Sequence, residues 1–113
     1  MKITVLTLFP EMFAPVLNES IIKRAQENSL IEFSFVNFRD FSTNKHKTVD
    51  DTPFGGGAGM VLSVEPIYLA LKSIDGNEKA LKILLTPQGK TFKQSMAKEL
   101  ALHEHIIIIC GHY

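Results

Sequence analysis

From Lys2 to Phe9 the chain is almost unbroken in apolar or β-branched character (Lys2-Ile3-Thr4-Val5-Leu6-Thr7-Leu8-Phe9). A run this short reads as a strand buried on both faces, as in a parallel sheet. Pro10 stops it, and from Glu11 the residues Met12, Phe13, Val16, Ile21, Ile22 and Ala25 recur at helical spacing, with a break expected around Asn18-Glu19-Ser20. Residues 31–38 return to apolar–polar alternation and predict a second strand, more exposed on one face. A long polar segment, 39–51, then runs into a glycine cluster. Met60-Val61-Leu62-Ser63 leads into Val64-Glu65-Pro66, where proline suits the first turn of a helix that ends near Ile74. Asp75-Gly76-Asn77 is a turn, and Leu81-Lys82-Ile83-Leu84-Leu85 is a third strand, stopped by Thr86-Pro87-Gln88-Gly89. Lys90-Thr91-Phe92 opens another helix, with Phe92, Met96, Ala97, Leu100 and Ala101 as its apolar positions. His105-Ile106-Ile107-Ile108-Ile109-Cys110 is the fourth strand, followed at once by Gly111-His112-Tyr113. Strands alternating with helices predict an α/β fold: a mainly parallel sheet flanked by helices.

Composition narrows this picture only a little. A chain of 113 residues suggests one domain with a real core. Hydrophobic residues at 45% and charged residues at 21% give an ordinary globular balance. Lys+Arg 12 against Asp+Glu 12 leaves no net charge, so any nucleic-acid partner must be met by a local basic patch. The single cysteine, Cys110, cannot form an internal disulfide and closes an apolar run, which fits a buried, inert thiol in a reducing compartment. The N-terminus lacks a secretory signal pattern, and no apolar stretch approaches the ~20 residues of a membrane helix. The expectation is a cytoplasmic protein with no membrane partner.

The candidate chemistry starts at Thr48-Val49-Asp50-Asp51-Thr52-Pro53-Phe54-Gly55-Gly56-Gly57-Ala58-Gly59-Met60. Four glycines in five positions cannot pack a core but let a ligand approach the backbone closely. Such a run is either a surface linker or a substrate loop, and its neighbourhood decides. Two known glycine signatures fail here. Gly89-Lys90-Thr91 lacks the earlier glycine of a phosphate loop, Leu84 standing there, and the third glycine of a dinucleotide fingerprint falls on Met60. His103 and His105 read as a solvated strand entry, and His46 between Lys45 and Lys47 reads as basic surface; no metal site is assigned. Two strand exits survive, Thr86-Pro87-Gln88-Gly89 and Cys110-Gly111-His112-Tyr113. In open α/β sheets ligands sit outside the carboxyl ends of strands. Side by side, the two exits could hold a planar ring through backbone hydrogen bonds, or they are plain β-to-α turns.

Five motifs now line up: Leu8-Phe9-Pro10-Glu11-Met12-Phe13, Arg39-Asp40-Phe41, the loop from Val49 to Met60, Thr86-Pro87-Gln88-Gly89 and Ile109-Cys110-Gly111-His112-Tyr113. In order and spacing they resemble the N-terminal part of the bacterial tRNA (guanine-N1)-methyltransferases of TrmD type, within the SPOUT superfamily. The resemblance implies an α/β sheet with a trefoil knot and S-adenosylmethionine bound in that knot. It implies methylation of N1 of the guanosine 3′ to the anticodon by a homodimer with active sites between subunits. Thr86, Pro87, Gln88, Gly89 and Gly111 would line the cofactor pocket, with Tyr113 at its edge. The loop carrying Asp50, Gly55, Gly56, Gly57, Gly59 and Met60 would receive the target guanine. Arg39, Lys45 and Lys47 are phosphate candidates from their charge and position. Thr52, Phe54 and Ala58 depart from the family, where arginine, tyrosine and proline are frequent. The family continues past Tyr113 with the rest of the knot, the general-base aspartate and a helical tRNA-binding domain. Residues 1–113 are therefore expected to be the first portion of the methyltransferase domain and inactive alone, with no catalytic residue assigned among them. Magnesium is a further candidate cofactor. The competing readings are a non-catalytic nucleotide- or RNA-binding α/β module and a structural interaction domain.

Overall fold

The computed structural model describes residues 1–42 and 64–111, together with the backbone of 50–51 and 61–62. Four strands form one parallel sheet: β1 (Lys2–Leu6), β2 (Glu32–Val36), β5 (Leu81–Leu85) and β6 (His105–Cys110), in the order β2-β1-β6-β5. Between them lie α1 (Ala14–Leu17), α2 (Ser20–Glu27), α3 (Val64–Ser73) and α4 (Gln94–Leu100). A two-stranded antiparallel ribbon pairs β3 (Asp50–Asp51) with β4 (Val61–Leu62), Asp50 opposite Leu62 and Asp51 opposite Val61.

The expected strands and helices are present, and their limits show local chemistry overriding pattern. The first strand ends at Leu6, although Thr7 still donates its backbone N–H to Val36 O at 3.1 Å. The Thr7 hydroxyl then accepts from the Phe9 N–H at 3.0 Å, turning the chain into a 3-10 helix at Pro10–Met12. The helical stripe that follows breaks where expected, between α1 and α2. The second strand stops at Val36 because the Asn37 side chain accepts from Arg39 N–H at 3.0 Å and caps a 3-10 helix over Phe38–Phe41. The helix expected from Lys90 starts instead at Gln94, after an extended Lys93 (φ −131°, ψ 162°). Gly89 N–H is turned back onto Thr86 O, which delays helical backbone by several residues.

The central strands β1 and β6 are buried along most of their length, as expected of a parallel sheet. On one face Leu6, Ile107 and Ile109 pack with Phe38 from the 3-10 helix and with Ala70 and Ile74 from α3 and its end, Phe38, Ala70, Leu6 and Ile107 being wholly buried. On the other face Val5 and Ile106 are buried, and Phe13, just before α1, meets Phe35 with ring centroids 5.3 Å apart. The register Leu6↔Ile109 and Leu85↔Cys110 brings the carboxyl ends of β1, β6 and β5 to one edge.

Candidate ligand site at the carboxyl edge of the sheet

Because β5 and β6 are parallel neighbours with Leu85 opposite Cys110, the chain leaving β5 at Thr86 runs beside the chain leaving β6 at Gly111. The sequence separates these two exits by more than twenty residues, and the fold makes them adjacent. The β5 exit is a closed turn built on Thr86. Its carbonyl accepts from Gly89 N–H at 3.1 Å, and its hydroxyl accepts from Gln88 N–H at 3.3 Å. Gly89 sits tightly against the turn: a Cβ there would stand 3.3 Å from Thr86 O and 3.4 Å from Thr86 Cγ2, so the carbonyl would have to give by a few tenths of an ångström. Thr86, Pro87, Gln88 and Gly89 are all exposed, so the turn is a shaped, accessible wall.

Beneath this turn a cavity of about 650 Å³ opens between α4 and the sheet. Ile3, Ile83, Ile106 and Ile108 floor it, Phe92 and Met96 roof it, and Thr86 and Gly89 form its rim. Its size and apolar lining suit a small organic ligand, with polar contacts supplied only at the rim. Cys110 is buried, and burial pushes its thiol above the ordinary value, so it is a packed apolar residue rather than a nucleophile. That agrees with the expectation from sequence.

The other site residues expected from sequence divide into three groups. Arg39 lies in the 3-10 helix that follows β2, the strand at the far side of the sheet from β5. Asp50 lies in the ribbon, where only its backbone pairing with Leu62 is described. Lys45, Lys47, Gly55, Gly56, Gly57, Gly59, Met60 and Tyr113 lie outside the described residues. Thr7 went unnoticed in the sequence, yet it is fully buried at the β1 exit, next to the β6 exit, and its hydroxyl sets the turn at Phe9. A hydroxyl inside an otherwise apolar run was the available signal. His105 also differs from expectation: it is half-buried, not solvated, and shares a 2.9 Å hydrogen bond between its Nε2 and Thr4 Oγ1. It stands at the amino edge, away from the strand exits. Among the described residues no three His, Cys, Asp or Glu side chains gather as a metal site.

Comparison with known proteins places this geometry in context. The family model described as "tRNA (Guanine-1)-methyltransferase TrmD" matches residues 1–113. A tRNA (guanine-N(1)-)-methyltransferase of Staphylococcus carnosus is 58% identical over the whole chain, which covers 46% of that relative. The same enzyme of Macrococcus caseolyticus is 59% identical, with 47% of it covered. A solved tRNA (m1G37) methyltransferase from Aquifex aeolicus superposes with a TM-score of 0.88 at 35% identity, over 98% of this chain and 50% of that one. The chain thus spans about half the length of the relatives it matches.

Proposed function

The chain belongs to the tRNA (guanine-1)-methyltransferase TrmD family, and on that footing we propose that it forms the cofactor-binding half of an enzyme that methylates N1 of the guanosine 3′ to the anticodon in tRNA. The observation carrying this reading is the parallel register of β5 and β6, which sets Thr86 beside Gly111 at the carboxyl edge. That arrangement fits S-adenosylmethionine in two respects. The backbone of the Thr86–Gly89 turn and of Gly111 offers hydrogen-bonding groups to the rim of a flat ring, and the apolar cavity beneath offers it a surface to rest on. The cofactor supplies a methyl group on a sulfonium sulfur.

The task left to the protein is to orient guanine and remove its proton. With S-adenosylmethionine bound, its sulfonium sulfur would give up the methyl group to guanine N1, and the N1 proton would pass to a carboxylate. Thr86, Pro87, Gln88, Gly89 and Gly111 hold the cofactor, with Tyr113 at the pocket edge. Asp50 and the glycines Gly55, Gly56, Gly57 and Gly59, with Met60, receive the guanine. Arg39, Lys45 and Lys47 neutralise tRNA phosphates, a role that falls off with salt. No residue of these 113 is assigned as the general base, which belongs to the other half of the protein, as does a helical tRNA-binding domain. The intact enzyme works in the cytoplasm as a homodimer with sites between subunits, whether or not magnesium assists. Among the described residues no helix is long and apolar enough to cross a membrane.

The test is methyl transfer from labelled S-adenosylmethionine by the full-length protein to tRNA transcripts with and without guanosine after the anticodon. Transfer only to the guanosine-bearing transcript supports the reading. Binding of cofactor or tRNA without transfer favours the non-catalytic module instead.

A further inference from the structure

At the amino edge of the sheet, on the same face as α3, a polar row crosses three strands: Ser34 on β2, Thr4 on β1 and His105 on β6. Thr4 Oγ1 lies 3.0 Å from Ser34 Oγ and 2.9 Å from His105 Nε2, and Thr4 itself is only 1% exposed. Over the histidine sits the turn that joins α3 to β5. Gly76, with φ +75°, passes so close that a Cβ there would lie 3.7 Å from His105 Nδ1. The turn is tied internally by Asn77 N–H to Ile74 O and by Lys79 and Ala80 N–H to Gly76 O, each at 3.2 Å. Its one described side-chain tie from the sheet is Lys82 of β5, whose ammonium donates to Asn77 O and to Ala80 O.

We propose that His105 is a proton-sensitive fastening that holds the α3–β5 turn against the sheet. Two cations flank the imidazole: Lys2, its direct partner on β1, and Lys82, on the same face of β5. The turn's own charged residues, Asp75, Glu78 and Lys79, are exposed to solvent, as are Glu32 and Glu104 nearby. Burial first, then Lys2 and Lys82, hold the imidazole below the ordinary histidine value, so the fold favours the neutral ring. A proton on His105 forces Nε2 to donate to Thr4 and fixes the direction of the whole polar row. It also sets a third positive charge beside Lys82, the group that grips the turn. The favourable response is for Lys82 to swing away, releasing the carbonyls of Asn77 and Ala80.

Hydrogen exchange on the full-length protein tests this, with rates corrected for the intrinsic pH dependence of exchange. Between about pH 7.5 and about pH 4.5, from above the ordinary histidine value to well below it, amide protection over 76–82 should fall several-fold in the wild type. It should stay constant in His105→Gln, and Lys82→Met should lack protection at both pH values. Equal wild-type protection at the two pH values, or the same fall in His105→Gln, overturns the proposal. Should His105→Gln not fold, NMR of the wild type decides. The His105 ring and the Gly76 and Asn77 amides titrating together support the fastening; amides that move apart from the ring overturn it.

Discussion

The two ends of this sheet are built on different terms. At the amino edge the chain is laced together. Met1 donates its terminal ammonium to Leu30 O at 3.1 Å, Lys2 N–H reaches Glu104 O at 2.8 Å and Glu32 N–H reaches Met1 O at 2.9 Å. The Ser34–Thr4–His105 row closes the same end with side chains. At the carboxyl edge the chain instead leaves in exposed turns, with the Thr86–Gly89 wall open to water above an apolar cavity. The amino end spends its polar groups on cross-strand bonds, while the carboxyl end leaves its turn exposed to solvent. Substitutions at the two ends should therefore fail in different ways: loss of stability at one, loss of binding at the other.

The largest effect expected is on turnover. The 113 residues alone should transfer methyl groups at least about a thousandfold more slowly than the full-length enzyme, since a missing general base alone costs about 10²–10⁴. A radiolabel assay with guanosine-bearing tRNA reads this, and near-equal rates would move the catalytic carboxylate into the present residues. Next comes Gly111→Val in the full-length protein. On the proposed role of Gly111, a branched side chain there should weaken S-adenosylmethionine about a hundredfold by calorimetry, or ~2.7 kcal/mol, while the melting temperature changes little. Unchanged affinity would remove Gly111 from the site and dissolve the contrast between the two ends.

Gly89→Ala is a finer probe of the open end. The Thr86 carbonyl must give by a few tenths of an ångström, so binding should fall by about tenfold, or ~1.4 kcal/mol, with α4 intact by circular dichroism. The closed end answers through Thr4→Val, which keeps shape but strips partners from Ser34 and His105. It should cost about 1–2 kcal/mol of stability in denaturant melts and leave cofactor affinity untouched; reduced affinity would show that the two ends are coupled. The smallest effect is the pH dependence. His105 binds its proton less readily folded than unfolded, so its contribution to stability is complete above the ordinary value near 6.5 and is lost as pH falls through the lower, folded value. His105→Gln should flatten that part of the stability profile.

What the sequence made legible follows the same division. β5 and β6 could be read to the residue because each is an apolar run ended by a residue that forbids extension of the pattern, Pro87 in one case and Gly111 in the other. The limits of β2 and α4 were misjudged because single hydrogen bonds set them, from Asn37 and from Thr86, and periodicity does not report such bonds. The ribbon of Asp50–Asp51 with Val61–Leu62 was invisible because adjacent aspartates are poor strand formers and only pairing across the glycine segment makes them extended. Within the site, the adjacency of Thr86 and Gly111 was open to inference from alternating strands and helices. The cavity under α4 was not, because Phe92 and Met96 look the same in sequence whether they fill a core or roof a void. His105 misled for a related reason: its partner Thr4 lies at the other end of the chain.

The strand order carries a consequence for how the molecule comes into being. β6 sits between β1 and β5, and Lys2 pairs with His105, so the sheet's central seam joins segments about a hundred residues apart, a separation that slows folding. On the ribosome, β1 and β2 emerge early and pair, but β1 then presents an unsatisfied hydrogen-bonding edge until β6 is released. Nearly the whole of this stretch must be synthesised before its first strand finds its second neighbour. Nascent chains of this kind depend on being kept from one another in the meantime, a demand set by topology before any ligand is met.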